Sequence, residues 1–307
     1  MAEPDSPAAL YTRARERGAL LDLSDRALWR LTGADRVRYL NGQVTNDIRR
    51  VRADAALPAC VTTAKGRLSG VIFVSAGPDF LRIDAEPALR EPLAARLERY
   101  IIADDVALED ATGSECLFHL VPPAFFATCP GAEVRTAARL GKPGFDIIAP
   151  RAEYDRLLDH LAISHVLLPA PLAEVLRIEA GIPRWGAELT EETLPPEAGL
   201  DRTAIDYHKG CYIGQEVISR IKSVGHVNRH LAGFTAPEPL AAGMTLHPEA
   251  EPDKLAGEIT SAAWSFGLES WAALGYLKRG FADAALHARS TGGAPVAVRV
   301  RDLPLVP

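Results

Sequence analysis

Asp206-Tyr-His-Lys-Gly-Cys-Tyr-Ile-Gly-Gln-Glu216, continued by Val217-Ile-Ser-Arg220, holds an ammonium, a thiol, phenols, an amide, an imidazole and two carboxylates within its first eleven residues. Gly210 and Gly214 can take left-handed or closely approaching backbone conformations that a Cβ forbids. Two glycines around Cys-Tyr-Ile predict a turn that presents Cys211, with a helix starting near Gln215. A chain brings polar groups up to a small ligand in this way. The competing reading is a Gly-rich loop whose Cys and Tyr pack inward, and the residues alone do not choose.

Working outward, Leu172 to Glu179 reads as a helix ended by Gly181 and Pro183. Glu179 falls in its last turn, where the helix dipole disfavours a carboxylate. Such a residue calls for either a ligand or a salt bridge, and Arg177 and Arg184 are near enough in sequence to supply the bridge. From Lys209 to His230, Lys209, Arg220, Lys222 and Arg229 face one carboxylate, Glu216, with His208, His226 and His230 close by. This is an anion site in outline. For Cys211, a thiolate favoured by Lys209 and the glycine backbone competes with a small buried residue. The other cysteines, Cys60, Cys116 and Cys129, are scattered, so neither a disulfide framework nor a metal site is expected.

Lys209-Gly-Cys-Tyr-Ile-Gly-Gln-Glu216 resembles the motif of the YgfZ-type folate-binding proteins, relatives of the glycine-cleavage T-protein, an aminomethyltransferase. Leu31-Thr-Gly-Ala-Asp-Arg36, Tyr39-Leu-Asn-Gly-Gln-Val-Thr-Asn-Asp47, Lys65-Gly-Arg67, Leu176-Arg-Ile-Glu-Ala-Gly-Ile-Pro183, Gly257-Glu-Ile-Thr-Ser261 and Ala273-Leu-Gly-Tyr-Leu277 follow in the family's order. The resemblance therefore spans nearly the whole chain. It implies a three-domain ring, α+β in its N-terminal two-thirds with a small C-terminal β-barrel. It also implies binding of tetrahydrofolate or a derivative, support of iron–sulfur cluster assembly or maintenance, and an effect on tRNA thiomethylation. Partners would be iron–sulfur client enzymes or assembly proteins.

The resemblance places Glu179 at the pterin-binding glutamate. A pterin's amine and ring NH can meet two carboxylate oxygens at once, which suits that role. The expected folate site is Glu179, Lys209, Tyr212, Gln215, Glu216, Arg220, Asn46, Lys65 and Arg67, with Cys211 as a reactive or cluster-related thiol. One departure bears on activity. The T-protein carries a pair of aspartates where this chain has Ser69 and Gly70, which neither accept a proton near neutral pH nor stabilise a developing cation. An active tetrahydrofolate-dependent aminomethyl or one-carbon transferase would need Asp47 or Asp84 in their place. A non-catalytic adaptor is the remaining alternative.

The chain's 307 residues allow two or three domains, and 48% hydrophobic with 24% charged residues describe an ordinary globular protein. A formal charge of -6 argues against strong direct nucleic-acid binding. Met1-Ala-Glu-Pro-Asp lacks signal-peptide character and no apolar run reaches membrane-spanning length, so a cytoplasmic protein with no membrane partner is expected.

In chain order, residues 1 to 20 read as a loosely docked helix, and Leu28 to Leu31 as a strand stopping at Gly33. Asp35 is placed to cap a helix carrying Val37 and Leu40. Asn41 to Asp47 reads as a helix end with local Asn/Asp bonds. Val71 to Val74 and Phe80 to Asp84 predict a hairpin, and Leu89, Leu93, Leu97 and Tyr100 an amphipathic helix. Cys116 to Val121 predicts a strand with His119 hydrogen-bonded in the core. Tyr154, Leu157, Leu158 and Leu161 predict another helix, and Glu188 to Gly199 a surface loop. Mixed elements without regular βαβ alternation indicate α+β. Short β-rich pieces after Gly225 indicate a barrel or sandwich, dividing the chain into residues 1–225, two intertwined α+β subdomains, and residues 226–307.

Overall fold

Alternating apolar residues form strands that sort into two five-stranded sheets and a barrel. In the computed structural model, residues 6–122 and 129–306 are described. Met1–Asp5, read above for leader character, lie outside them. Helix α1 (Pro7–Arg17) leads into β1 (Ala19–Asp22), β2 (Ala27–Thr32), α2 (Arg36–Gln43), β3 (Leu57–Thr62), β4 (Leu68–Ala76), β5 (Leu81–Ala85), α3 (Arg90–Glu98) and β6 (Ala107–Asp110). Then come β7 (Glu115–Val121), β8 (Glu133–Ala137), β9 (Gly144–Pro150), α4 (Tyr154–Ala162), β10 (Val166–Leu167), α5 (Ala170–Ala180) and α6 (Gln215–Val224). The last strands are β11 (Arg229–Ala236), β12 (Thr245–Pro248), β13 (Gly257–Ser265), β14 (Ser270–Lys278), β15 (Leu286–Arg289) and β16 (Val296–Arg301).

One sheet runs β3-β4-β5-β2-β6 and the other β10-β1-β7-β9-β8, while β11-β14-β13-β12-β15-β16 close a six-stranded barrel. Consecutive strands β1 and β2 enter different sheets, and the chain returns to the sheet of β1 only at β7. Leucines at helical spacing explain the layers. Leu93 and Leu97 of α3 and Leu40 of α2 cover Trp29, Ile72 and Ile83 of the first sheet, and Leu157 and Leu161 of α4 cover Phe118 and Ile147 of the second. Phe234, Leu246 and Leu277 fill the barrel. The architecture is α+β with a C-terminal β-barrel, as the sequence predicts.

Charge, rather than apolar packing, joins the two sheets. Arg139 bonds Asp84 of β5 and Asp146 of β9 at 2.7–2.9 Å, Arg26 bonds Asp84 at 2.5 Å, and His119 Nδ1 lies 2.8 Å from Asp146. His119 is thus the hydrogen-bonded core histidine expected. A cavity of about 20 Å³ beside this network, lined by Arg26, Arg82, Arg135 and Asp146, has room for about one water. Among the described residues no helix is long and apolar enough to cross a membrane, and no three His, Cys, Asp or Glu are grouped to hold a metal ion.

Three local expectations change. Asp35 stands at the N-cap of α2 without capping it, because its carboxylate accepts from Asp105 N at 2.9 Å and pairs with Arg38. Helix α1 is not loosely docked, since Tyr11 and Ala14 are buried. The acidic segment after Glu188 is not a surface loop either. Glu188 is buried, bonds Arg177 of α5 at 2.9 Å, and accepts from Thr260 and Ser261 of β13 at 2.8 and 2.6 Å. Glu197 takes Arg229 of β11 at 3.0 Å. The segment is mortar between α5 and the barrel.

Candidate functional site

The loop before α6 is laced to the segment after α2. Thr45 Oγ1 donates to Ala204 O at 2.6 Å, Asp206 N to Thr45 O at 3.0 Å, and Ile213 N to Gly42 O at 3.2 Å. Asn46 Nδ2 donates to Pro58 O at 2.8 Å and to Thr203 O at 3.3 Å. At the centre, Lys209 Nζ donates to the carbonyls of Asn41, Val44 and Asn46 at 2.6, 2.6 and 2.8 Å. Three N–H bonds meet three acceptors, so the ammonium is saturated while only 5% of the residue is exposed. Burial pushes Lys209 down to about 8, opposed by Asp47, which leaves it protonated at neutral pH.

The turn that follows is equally fixed. Gly214 has φ of 89°, and a Cβ there would lie 2.5 Å from Thr63 O. Thr62 Oγ1 donates to Ile213 O at 2.5 Å, seating the β3–β4 tip against the start of α6. Gly210 differs, having an ordinary φ and open space beside it. Tyr212 turns inward with Ile205 and Ile218, its ring centroid 5.2 Å from the Lys209 ammonium. Cys211 is exposed at the crest, whereas Cys60, Cys116 and Cys129 are buried.

The proposed anion site loses members to internal pairing. Lys209 faces carbonyls rather than solvent, Arg229 pairs with Glu197, and Arg67 pairs with Glu192 at 2.6 Å. Lys222 lies 4.7 Å over the Tyr207 ring. Arg220 and Glu216 are exposed on α6, Gln215 is half-buried, and Lys65 is exposed at the hairpin tip. Asn46 and Tyr212 brace the loop and do not face outward. The structure therefore brings Asn46, Lys65, Lys209, Cys211, Tyr212, Gln215 and Glu216 into one region.

Glu179 stands apart. No hydrogen bond or ion pair among the described residues joins it to that region. Its local partners are not the expected ones, because Arg177 is taken by Glu174 and Glu188, and Arg184 lies beside Glu174. Its carboxylate receives Tyr11 Oη at 3.0 and 2.8 Å, Arg15 Nη2 at 2.5 Å and Ser265 Oγ at 2.6 Å, and the residue is 0% exposed. Burial and the adjacent Glu179 push the Tyr11 phenol up to about 12, so it keeps its donor proton. Tyr11, Arg15 and Ser265 carry no sequence signal for this role, being 168, 164 and 86 residues from Glu179.

Acid–base chemistry finds little support nearby. Ser69 is half-buried on β4, and a side chain at Gly70 would meet Leu89 and Leu93. Asp47 is tied to Arg49 at 2.8 Å, which holds it below the usual carboxylate range. Asp84 belongs to the inter-sheet network, where burial would push it up but Arg139 and Arg26 hold it down. Neither is free to replace the missing pair.

No family model matches the sequence. Among curated proteins, the tRNA-modifying protein YgfZ of Escherichia coli O157:H7 is 30% identical over 247 residues, 74% of this chain and 75% of that protein. The protein of the same name from Sodalis glossinidius is 29% identical over 252 residues, 77% and 75% of the two chains. Among solved structures, the glycine cleavage system aminomethyltransferase T from Bartonella henselae superposes with a TM-score of 0.86 at 17% identity, over 99% of this chain and 90% of that one. The last likeness is one of fold.

Proposed function

The chain belongs to the YgfZ family, and from that premise we propose that it serves tRNA modification as a folate-binding protein that presents the Cys211 thiol to a partner. The observation that carries this reading is the setting of Cys211. It is an exposed thiol on a loop pinned by the Lys209 carbonyl cage, by Thr62 and by the close approach of Gly214. A crest held this rigidly presents its thiol in one orientation. With Cys60, Cys116 and Cys129 buried elsewhere, any iron–sulfur contact through Cys211 needs ligands from a partner.

Tetrahydrofolate suits the acceptor chemistry at Glu179, whose carboxylate matches a pterin's paired N–H donors. Its acceptors now carry Tyr11, Arg15 and Ser265, so a pterin has to take the place of some of them. Aminomethyl transfer is not part of the proposal, because Ser69 and Gly70 supply no carboxylate and Asp47 and Asp84 are engaged.

Two measurements test the two halves. Cys211→Ala, expressed in a bacterium lacking its own relative, should fold normally yet fail to restore thiomethylated nucleosides in bulk tRNA. Full restoration would sink the thiol reading. Calorimetric titration with tetrahydrofolate and its 5-formyl form should show binding that weakens at least tenfold in Glu179→Gln, about 1.4 kcal/mol. Equal binding in both proteins would move the pterin elsewhere.

A further inference from the structure

A fully buried carboxylate in the last turn of a helix is in an unfavourable place, and what stabilises it here is unevenly anchored. Ser265 ends a barrel strand and also receives Leu268 N, so it is a fixed part of the frame. The other two donors, Tyr11 and Arg15, both come from α1. That helix is docked through buried Tyr11 and Ala14, the first of which is itself a Glu179 donor, and it connects to β1 through Gly18, a glycine with φ of 98°. The Arg15 side chain is 38% exposed, so solvent reaches the outer side of the ion pair.

The seat of Tyr11 is shaped to it. A Cβ on Gly267 would lie 2.5 Å from Tyr11 Oη and 3.7 Å from Glu179 Oε1, so the β13–β14 turn is hollowed where the phenol enters. The Tyr11 ring stands 5.4 Å from that of Phe266. An aromatic ring beside Phe266, with N–H and O–H donors directed at both oxygens of one carboxylate, is the contact set an amino-pyrimidinone ring would make in the same hollow. Arg15 Nε also donates to Tyr11 Oη at 3.1 Å, making the two side chains one unit that enters or leaves together.

We propose that α1 is a built-in competitor for the Glu179 site, with Tyr11 and Arg15 occupying the place of a pterin and giving it up when a folate binds. This rests on the reading of Glu179 as the pterin carboxylate. A ligand that binds only the open form has its affinity lowered by the fraction of molecules that are open. Weakening the α1 contacts should therefore strengthen folate binding, the reverse of what loss of an ordinary site residue does.

The experiment pairs titration with amide hydrogen exchange on the full chain, using 5-formyltetrahydrofolate as the probe. Saturating probe should speed exchange across residues 9–18 at least tenfold in the wild type. The double variant Tyr11→Phe/Arg15→Gln should bind at least fivefold more tightly. Probe binding that depends on Glu179 but leaves α1 exchange and the double variant's affinity unchanged would overturn the competitor and keep the pterin site. Binding that is equal in wild type and Glu179→Gln, or absent from wild type and double variant alike, would overturn the Glu179 reading itself, and the competitor with it. If the double variant proves unstable, the wild-type exchange measurement decides alone.

Discussion

An ammonium enclosed by three peptide carbonyls works as an internal cross-link, and that is the part Lys209 plays. Lys209→Met would keep the aliphatic volume but strand three buried acceptors. We expect a loss of about 3 kcal/mol in urea unfolding and faster amide exchange across residues 207–214. Lys209→Arg should not rescue it, because a planar guanidinium cannot converge on three acceptors spaced for a single nitrogen. The type of residue 209 was visible in the sequence and its partners were not. The acceptors are backbone atoms 163 to 168 residues away and leave no mark on residue identity. Glu179 makes the same point, for its conflict with the helix dipole was legible but Tyr11, Arg15 and Ser265 were not.

At the scale of elements, the two glycines of the Lys-Gly-Cys-Tyr-Ile-Gly block part company. Gly214→Ala forces a side chain into left-handed backbone and onto Thr63 O, so the seat of the β3–β4 tip must shift. We expect at least about 2 kcal/mol of destabilisation and a mobile Cys211. Gly210→Ala faces open space at an ordinary φ and should stay within about 0.5 kcal/mol of wild type. Parallel thermal melts of the two variants check the contrast. Helix ends and hairpins were legible because their signals are local, as with Gly181 in the left-handed conformation at the end of α5 and the alternation of β4 and β5. The Glu188 segment was misread because acidity usually marks solvent, and here Arg177, Thr260 and Ser261 take up its charge.

For the molecule as a whole, the charge network between the sheets sets the acid limit of stability. Burial lowers the His119 pKa against the pull of Asp146, so the folded state refuses a proton that the unfolded histidine accepts below about pH 6.5. Stability should fall as pH drops through that value, with His165 and His230 acting in the same direction. Asp84 and Asp146 have folded pKa values below their unfolded ones, since Arg139 outweighs their burial. Their stabilisation is present above about pH 4 and lost below it. His119→Asn retains a donor toward Asp146 but cannot titrate. Its urea midpoints should decline less between pH 6.5 and 5 than those of wild type, and an unchanged slope would locate the titration elsewhere.

The sequence by itself determined the family, the α+β architecture with its β-rich C-terminal part, and the glycine-flanked turn around Cys211. Those features rest on motif order, hydrophobic period and glycine placement, all carried by neighbouring residues. Only the tertiary structure decided that the barrel closes, that Cys211 is exposed, and which charges are free. Lys209 and Arg67 turned out to be ties, Asp47 and Asp84 turned out to be paired, and Glu179 lies beneath α1. Pairing is a property of distance in space, and the side chains and carbonyls that neutralise these groups come from segments the chain brings together only on folding.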